Sequence, residues 1–400
     1  MTYLPTLSLV ALGLASAAGP AGAGRMQIPE LLPEHQEQLS ARRLRDARDD
    51  AARAEQLRLD AQRQQDALRR GTGDGGGGLP GGERHRVGNY RIDCLDCNFT
   101  GLVLRPVKIN SSGTVAANET TTGQGYVIAG GTLTAAPVVA GATFSTVSDI
   151  NDHGHLAGVQ AMAGSGNRGY LWRYGTINMI DGPNGGAASP RAINAADQVT
   201  GSAYGASGAY GAFLYRSGAL TQLPLPPGHS YAWGTGINVA GHVVGSSYTG
   251  GTYADPDAWR YADGNLTVLS PQFVSTYANA VNDLDEVAGS VDSYAAYWSA
   301  SGRLQILNTL PNFSTGTATA INVHGVVVGI LAGNNSAAWP RIAFMWDGRT
   351  VYDLNALIQG GTTSGWTLNE ATSINDVGVI VGVGMLDGVT HAFMATPLKR

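Results

Sequence analysis

Charged residues are scarce in this chain of 400 residues, which has 25 lysines and arginines and 30 aspartates and glutamates. They make up 14% of the sequence, against roughly a quarter in an average globular protein. The formal net charge is −5, so the chain lacks the basic field that attracts a protein to nucleic acid. We therefore expect no nucleic-acid partner.

Cysteine is nearly absent, and Cys94 and Cys97 are the two cysteines of the sequence. A haem attachment would need histidine at position 98, where the chain has Asn98. One Cys-x-x-Cys pair is at best half of a zinc site, so we expect no metal and no cofactor. Two interpretations stay open: a local disulfide, which needs Cys97 in a turn after a strand, or cysteines that are free or pair between molecules.

Long apolar runs are also missing. Residues 1–23 have the pattern of an export signal, with an apolar stretch from Leu7 to Ala17 and small-residue cleavage sites after it. This stretch is too short and too broken by glycine to span a membrane, and no other segment qualifies. We expect a bacterial protein that is exported to the periplasm or the extracellular space.

Residues 30–70 differ from the rest of the chain. They are rich in arginine, glutamine, alanine and acidic residues, with opposite charges three and four residues apart, which favours a helix. Leucines are sparse and keep no strict heptad, so this arm is either an oligomerising coiled coil or a solvated, partly disordered segment. Residues 71–88 form a glycine-rich linker, which leaves 89–400 as the folded body.

Seven copies of one motif organise that body. Each has an apolar residue, asparagine, two variable residues, then glycine or aspartate before an alternating apolar stretch, as in INDVGVIVG from Ile374. The fifth place calls for positive φ, which glycine and aspartate tolerate. A residue found once per repeat is expected to serve the scaffold, and asparagine can clamp a hairpin turn. The repeat asparagines are Asn110, Asn151, Asn194, Asn238, Asn282, Asn322 and Asn375.

An aromatic third strand and a fourth strand follow each hairpin. Four short antiparallel strands per repeat of about forty residues predict an all-β, seven-bladed β-propeller. The blades should begin near residues 103, 146, 189, 233, 277, 317 and 370. The last blade runs out of chain before its fourth strand. We expect residues 90–96 to supply this strand and to close the ring, which removes exposed sheet edges.

The last repeat also carries a family resemblance. Its triplet His391-Ala392-Phe393, downstream of INDVGVIVG, resembles the HAF-repeat family of predicted extracellular bacterial proteins. The resemblance covers roughly residues 105–400. It implies export and a repeat fold, and it carries over no catalytic residue.

Catalytic and metal-binding patterns are weak. The turn histidines His153, His155, His242 and His324 should be spread around the ring and so should not converge on one ion. A hydrolase needs paired carboxylates or an activated nucleophile, and the spacing singles out no pair. The acids considered are Asp152, Asp283 and Asp376 in the repeat turns and Asp181, Asp255, Asp257 and Glu370 elsewhere.

Aromatic residues outside the third strands point to binding. Flat rings and amides suit a glycan or an extended peptide; alternatively these aromatics cover blade edges, and packing is favoured for Trp366, which precedes a strand. The candidate ligand-binding residues are Trp339, Asn334, Asn335, Trp366, Tyr248 and Tyr253. Third-strand Trp172, Trp298 and Trp346 are expected to pack between blades.

The sequence thus favours an exported binding or surface-interaction module, with its site over blades 6 and 7. The second interpretation is a secreted polysaccharide-active enzyme. The third is a structural spacer in an oligomer assembled through the N-terminal arm.

Overall fold

The computed structural model describes residues 89–398, apart from 164–165, 206–209, 250–255, 271, 308–309 and 334–340. The predicted export signal, charged arm and linker of residues 1–88 lie outside this part. Within it the chain forms β-strands joined by turns and three short 3-10 helices. These helices are Pro183–Gly185, Leu354–Leu357 and Gly361–Ser364.

The strands form seven four-stranded antiparallel sheets. The first strand, β1 (Tyr90–Cys94), belongs to the last blade, and blades 1 to 3 follow in chain order. Blade 1 has β2 (Leu104–Ile109), β3 (Val115–Glu119), β4 (Gly125–Ala129) and β5 (Thr132–Ala135). Blade 2 has β6 (Ala142–Ile150), β7 (Leu156–Met162), β8 (Gly166–Arg173) and β9 (Thr176–Ile180). Blade 3 has β10 (Ala188–Ile193), β11 (Val199–Tyr204), β12 (Tyr210–Arg216) and β13 (Ala219–Gln222).

Blades 4 to 6 repeat the same order. Blade 4 has β14 (His229–Ile237), β15 (Val243–Thr249), β16 (Asp257–Ala262) and β17 (Asn265–Val268). Blade 5 has β18 (Thr276–Val281), β19 (Val287–Val291), β20 (Tyr294–Trp298) and β21 (Leu304–Ile306). Blade 6 has β22 (Thr315–Ile321), β23 (Val327–Ala332), β24 (Arg341–Trp346) and β25 (Val351–Asp353).

Blade 7 closes the ring. It has β26 (Trp366–Ile374), β27 (Ile380–Leu386) and β28 (Val389–Pro397), and β1 pairs with β28 as its fourth strand. Tyr90 lies opposite Pro397, and Cys94 lies opposite Phe393. The predicted seven-bladed propeller and its closure by an N-terminal strand are both confirmed. By pairing with β28, β1 covers a strand edge that would otherwise be exposed at the seam.

The first strands of the blades form the inner wall. Each contacts the first strand of the blade before and the blade after it, all the way round from β2 to β26 and back to β2. The blades begin close to the predicted positions, because the repeat Ile or Val ends the inner strand and the turn after it fixes the register. Side chains of these inner strands are therefore the ones that neighbouring blades share.

The hairpin turns behave as the repeat predicts. All seven fifth-place residues have positive φ, from 58° at Asp197 to 83° at Gly113 and Gly378. The asparagine Oδ1 accepts a hydrogen bond from the backbone N–H four residues on in every copy, at 2.8–3.0 Å. This side chain holds the turn that reverses the chain from the first strand to the second.

The same asparagines also join the blades, which the sequence did not indicate. Each Nδ2 donates to the carbonyl of the next repeat asparagine, at 2.8–3.2 Å, and Asn375 donates to Asn110. The seven bonds make a closed ring. All seven residues are at most 5% exposed, so these bonds between blades are shielded from water.

A glycine in the second strand lets the third-strand aromatic lie flat against the sheet. Gly329 is opposite Phe344, and Gly382 is opposite Phe393. A Cβ at Gly329 would meet the carbonyl oxygen of Thr317 at 2.0 Å and the Phe344 ring at 2.8 Å. The ring covers the glycine backbone, an arrangement that stabilises glycine in sheets.

Third-strand aromatics then fill the space between blades. Trp298 is fully buried among residues of blades 4 and 5. Trp346 is 3% exposed and lies 5.0 Å from the ring of Tyr297 in blade 5. Both therefore pack between blades, as expected. Trp172 packs only in part, and its remaining surface lines a pocket.

Candidate functional site

Four of the six candidate ligand-binding residues lie outside the part of the chain that the structure describes. They are Asn334, Asn335, Trp339 and Tyr253. Trp366 begins β26, is 8% exposed and contacts the Phe393 ring at 6.3 Å. It belongs to the core of blade 7, which is the packing role favoured for it.

Tyr248, the remaining candidate, leads to a different group of residues. It is 4% exposed at the end of β15. Its ring lies 4.7 Å from the ring of Trp233 on β14, and its hydroxyl lies 3.4 Å from that of Tyr277 on β18. The guanidinium of Arg191 on β10 lies over the Trp233 ring, 5.7 Å from its centroid. We call Arg191, Trp233, Tyr248 and Tyr277 the inner aromatic cluster; it joins blades 3, 4 and 5.

Arg191 reaches the inner wall because of a β-bulge. The register between β10 and β11 shifts between Pro190 and Ala192, so Arg191 is the extra residue. Every inner strand has a bulge at this place, two residues before the repeat Ile or Val. Bulges re-aim side chains. The seven bulge residues are Val107, Ser148, Arg191, Thr235, Asn279, Thr319 and Thr372.

At most of these bulges the side chain is small, and several bind the next blade. Thr235 donates to the carbonyl of Ala278 at 2.6 Å, Asn279 to that of Ala318 at 2.8 Å, and Thr319 to that of Ala371 at 2.7 Å. Arg191 is the one charged residue in the set. Where other blades have a hydrogen bond to the next blade, Arg191 has a guanidinium lying over an indole ring. Such a cation–π contact stabilises a guanidinium by about 0.5–2 kcal/mol.

The surroundings of Arg191 make it receptive to an anion. Its side chain is exposed to solvent. Protein atoms of the inner wall nevertheless displace much of the water around the guanidinium, and this desolvation lowers its pKa. The arginine at the inner strand of blade 1 is different, because Arg105 already pairs with Glu370, donating to its Oε2 at 2.9 Å. The Arg191 guanidinium thus faces solvent, whereas the charge of Arg105 is neutralised by Glu370.

A pair of exposed tyrosines lies on the same blade as Arg191. Tyr204 and Tyr210 face each other across β11 and β12, are 43% and 40% exposed, and have ring centroids 5.2 Å apart. Tyr204 donates its N–H to the carbonyl of Ala187, four residues before Arg191. Four strand residues correspond to roughly 13 Å. An extended ligand could therefore touch Arg191 and the tyrosines together.

Sequence reasoning missed Arg191 and Trp233, although a usable signal was present. Both lie on inner strands. Arg191 is at a place where five other blades have serine, threonine or asparagine, and Trp233 is at a place where blades 2, 3 and 6 have Thr146, Ser189 and Thr317. A residue that departs from a repeat at a wall position is a candidate for function.

The turn histidines pair with aspartates of the following blade. His155 Nδ1 lies 2.7 Å from Asp197 Oδ1, and His242 Nδ1 lies 2.7 Å from Asp285 Oδ1. Burial raises the pKa of each aspartate, but hydrogen bonds from the histidine and from Asn151 or Asn238 outweigh it, so both pKa values end below the ordinary one. The bond to Asp285 raises the pKa of His242.

These histidines also border a pocket on the hairpin-turn face. Its volume is about 500 Å³, and its lining includes His153, His155, Trp172 and Tyr174. The Tyr174 ring is 69% exposed and meets the His155 ring edge-on at 4.5 Å. Since His155 is occupied by Asp197 and His242 lies two blades away, these side chains pair separately rather than around one shared ion.

The described carboxylates also have separate partners. Asp181 pairs with Arg168, Asp257 lies 3.1 Å from His229, and Glu370 pairs with Arg105. Asp255 lies outside the described residues. Each of the three turn acids accepts a backbone N–H from the preceding blade, namely Asp152 from Ser111, Asp283 from Val239 and Asp376 from Val323.

Two acids have raised pKa values. Burial raises that of Asp149, whose oxygens accept the N–H groups of Ile150 and Ile193. Burial, with the charges of Asp376 and Asp152, raises that of Asp283. Both are bonded to backbone at blade junctions, so their geometry is that of structural links rather than of an acid and base facing a substrate.

The two cysteines form a disulfide at the seam of the ring. Cys94 ends β1 and Cys97 lies in the turn after it, bonded to Cys94. Asp96, between them, has a fully buried side chain and accepts hydrogen bonds from His391 Nδ1 at 2.9 Å and from the N–H of Leu104 at 2.9 Å. Ring closure therefore brings the first described strand together with the histidine of the HAF triplet.

Comparison with known proteins finds similar solved structures but no match in sequence. No protein-family model and no curated protein matches the chain. Virginiamycin B lyase from Staphylococcus aureus is similar in structure, with a TM-score of 0.46 and 12% identity over 77% of this chain and 99% of the lyase. YCF48 bound to D1 peptide gives a TM-score of 0.47 and 10% identity over 78% and 96%. TolB from Acinetobacter baumannii gives 0.39 and 12% over 74% and 64%.

No helix in the described part of the chain is long and apolar enough to cross a membrane.

Proposed function

We propose that this protein is an exported binding module whose inner aromatic cluster takes an acidic glycan. The observation that carries the proposal is Arg191, a cation that stands alone among the seven bulge residues and lies over Trp233. The scaffold requires a small residue at this place in the other blades. A charge that the scaffold does not require is most simply explained by a ligand of opposite charge.

The chemistry of the cluster favours a carboxylate. Arginine binds carboxylates with two parallel hydrogen bonds in a fixed plane. The Trp233 ring lies against the guanidinium and Tyr248 packs on Trp233, which restrains the arginine and reduces the conformational entropy lost on binding. Because Arg191 is surrounded by protein, its attraction for an anion is weakened less by water than at an open surface.

The tyrosine pair favours a sugar polymer over a single small anion. Tyr204 and Tyr210 offer two exposed ring edges and faces beside Arg191's strand. Sugar rings present C–H groups that pack on aromatic faces, while their carboxylates can reach the arginine. An oligosaccharide with repeated uronic acids could meet both sites at a spacing of roughly 13 Å.

Export and family membership are part of the same proposal. The leader-like residues 1–23 and the disulfide at Cys94 and Cys97 are both typical of exported proteins. Membership of the HAF-repeat family is supported by the His391 triplet and its repeat. The site over blades 6 and 7, with Trp339 at its centre, stays a prediction beside the inner aromatic cluster.

The test is calorimetric titration of the full chain with oligosaccharides rich in uronic acids, at low and high salt. We expect binding that weakens with salt and that falls at least about tenfold in Arg191→Gln, the change that 1.4 kcal/mol produces. Arg105→Gln is the matched control, since that inner-wall arginine is already paired with Glu370. It should bind as the unmodified chain does.

Other outcomes would assign the site elsewhere. Binding that survives Arg191→Gln but is lost in Trp339→Ala would place the ligand over blades 6 and 7. Equal binding of neutral glycans would contradict the role of Arg191. Binding of acidic peptides without acidic glycans would keep the site and change the ligand class.

A further inference from the structure

We propose that Cys94, Cys97 and His391 form a zinc-type metal site once the disulfide is reduced. The proposal is independent of the glycan site, which lies on other blades. The disulfide is then the oxidised, metal-free state of the same group of residues, and reduction converts it into a chelating site.

The ligand atoms are already assembled. One donor atom each from Cys94, Asp96, Cys97 and His391 lies within 4.8 Å of all the others. The Cys97 Sγ is 3.8 Å from His391 Nδ1, although the two residues are 294 positions apart in sequence. The lone Cys-x-x-Cys pair, which is half of a zinc site by itself, gains its further ligand through ring closure.

The donor set suits zinc. Thiolates and imidazole are the ligands that tetrahedral zinc sites use, and three protein ligands leave a fourth position open. The backbone N–H of Cys97 donates to Cys94 Sγ at 3.1 Å. Such a bond stabilises a thiolate more than a neutral sulfur, so the loop is shaped to hold the deprotonated form that metals bind.

Asp96 holds the His391 ring beside the cysteines. Its carboxylate accepts a hydrogen bond from His391 Nδ1 at 2.9 Å, the same ring nitrogen that lies 3.8 Å from Cys97 Sγ. A metal bound at this nitrogen would replace that hydrogen bond, and the carboxylate, itself one of the four clustered donors, would lie next to the metal. The N–H groups of Leu104 and Ala392 also donate to the carboxylate, at 2.9 and 3.2 Å. These bonds hold the loop to blades 1 and 7 without help from the disulfide, so reduction need not open it.

The histidine is not part of the scaffold. In each of five other blades the residue at the register position of His391 can be read from the strand pairing, and it differs every time. These residues are Arg168, Gly211, Asp257, Tyr294 and Ile342. Histidine thus occurs in the blade that receives the Cys-x-x-Cys strand, which points to a joint role.

The chemical step balances with a dithiol as reductant. A dithiol thiolate attacks the exposed Cys97 sulfur, and the Cys94 thiolate leaves. The second thiol of the reductant then displaces Cys97 and closes the reductant's own disulfide, so two electrons pass to the protein. Zinc binding releases the protons that the two cysteine sulfurs would carry as thiols.

The test uses the full chain, reduced with a phosphine that does not compete for metal, and zinc alone as the probe. We expect about one zinc per chain after gel filtration of the reduced protein and none for the oxidised protein. Cobalt(II) in place of zinc should show a thiolate-to-metal charge-transfer band. His391→Ala should weaken zinc binding by at least about tenfold, and Asp96→Asn by about 10–100-fold.

Controls separate the site from general metal binding and from unfolding. His324→Ala removes an exposed turn histidine and should leave stoichiometry and affinity unchanged. Circular dichroism shows whether each variant keeps its fold, and Cys97→Ser gives a second way to remove a ligand. Reduced protein that holds no zinc would overturn the proposal, and so would equal affinity in a folded His391→Ala or Cys97→Ser variant.

Discussion

Blades 3 and 6 have the same four-stranded sheet, yet the bulge residues of their inner strands play different parts. At the bulge of blade 6, Thr319 donates to the carbonyl of Ala371 in blade 7. At the bulge of blade 3, the Arg191 guanidinium lies over the ring of Trp233 in blade 4 instead. In a repeat protein, the consensus shows what the fold requires, and departures from it show what the fold alone does not explain.

The hairpin turns give a second comparison of this kind. In blades 3 and 5 the fifth residue is Asp197 or Asp285, where the other blades have glycine. In both cases the sixth residue of the preceding blade is a histidine, His155 or His242, which pairs with it. Here the departure from the repeat is itself structural, because two changes in adjacent blades compensate each other.

The largest expected effect concerns the second-strand glycine, which every blade after the first contains. Gly329→Ala should destabilise the protein by about 3 kcal/mol, since its Cβ would meet the Thr317 carbonyl at 2.0 Å. Chemical denaturation followed by circular dichroism measures the change. Gly211→Ala is the control, because its nearest neighbour is the flexible end of Gln222 at 3.2 Å. Equal stability in both variants would show that the glycine has no packing role.

The asparagine ring should give the next largest effect. Asn322→Ala removes the acceptor for the N–H groups of His324 and Val326 and the donor to Asn375, which should cost about 2–3 kcal/mol. Asn322→Asp keeps the acceptor but puts a carboxylate oxygen in place of the donor, 3.2 Å from the Asn375 carbonyl in a buried site, so it should cost at least as much. An Asn322→Asp variant as stable as the unmodified protein would show that the bond between blades contributes nothing.

Exchanging the bulge residues sharpens the comparison between blades 3 and 6. Thr319→Val should cost about 1 kcal/mol, because the Ala371 carbonyl loses its hydroxyl partner. Arg191→Thr restores the repeat and should be neutral or stabilising by up to about 1 kcal/mol while glycan binding is lost, as is common where a site departs from the scaffold optimum. Melting temperature and titration, measured on both variants, decide between a scaffold role and a binding role.

The smallest effect concerns pH. The folded pKa of His242 is raised by Asp285, so its contribution to stability is present below the unfolded value of about 6.5 and is lost as pH rises through the folded pKa. His242→Gln should therefore cost more at about pH 5.5 than at about pH 8.5, by less than about 1 kcal/mol. Glutamine is chosen because Gln198 fills this place in blade 3. A cost independent of pH would mean that the pair is not charged.

Much of the fold could be predicted because its signals are local. Positive φ at seven turns, asparagine at the end of each inner strand and a missing fourth strand in the last blade are all visible in short segments. Turn geometry and strand register depend on residues a few positions apart. The same signals could not reveal that Asn110 and Asn375 bond each other, since that contact exists only in a closed ring.

The candidate sites were predictable to a smaller degree. Tyr248 was a candidate, but Arg191 and Trp233 lie on inner strands, and their contact crosses between blades. The Cys-x-x-Cys pair is visible in the sequence as a candidate site, whereas His391 stands out there only as part of a family motif. Sites of this kind combine residues from distant repeats, so spacing along the chain carries little information about them.

The amino-acid sequence by itself determined the seven blades, their turns and the strand that closes the ring, because each follows from backbone preferences and apolar alternation within one repeat. Tertiary structure decided which side chains meet. It placed His391 beside Cys97 and Arg191 over Trp233. The physical reason is that hydrogen-bonded register acts over a few residues, whereas these contacts depend on how neighbouring blades pack and on the joining of the chain's two ends around the ring.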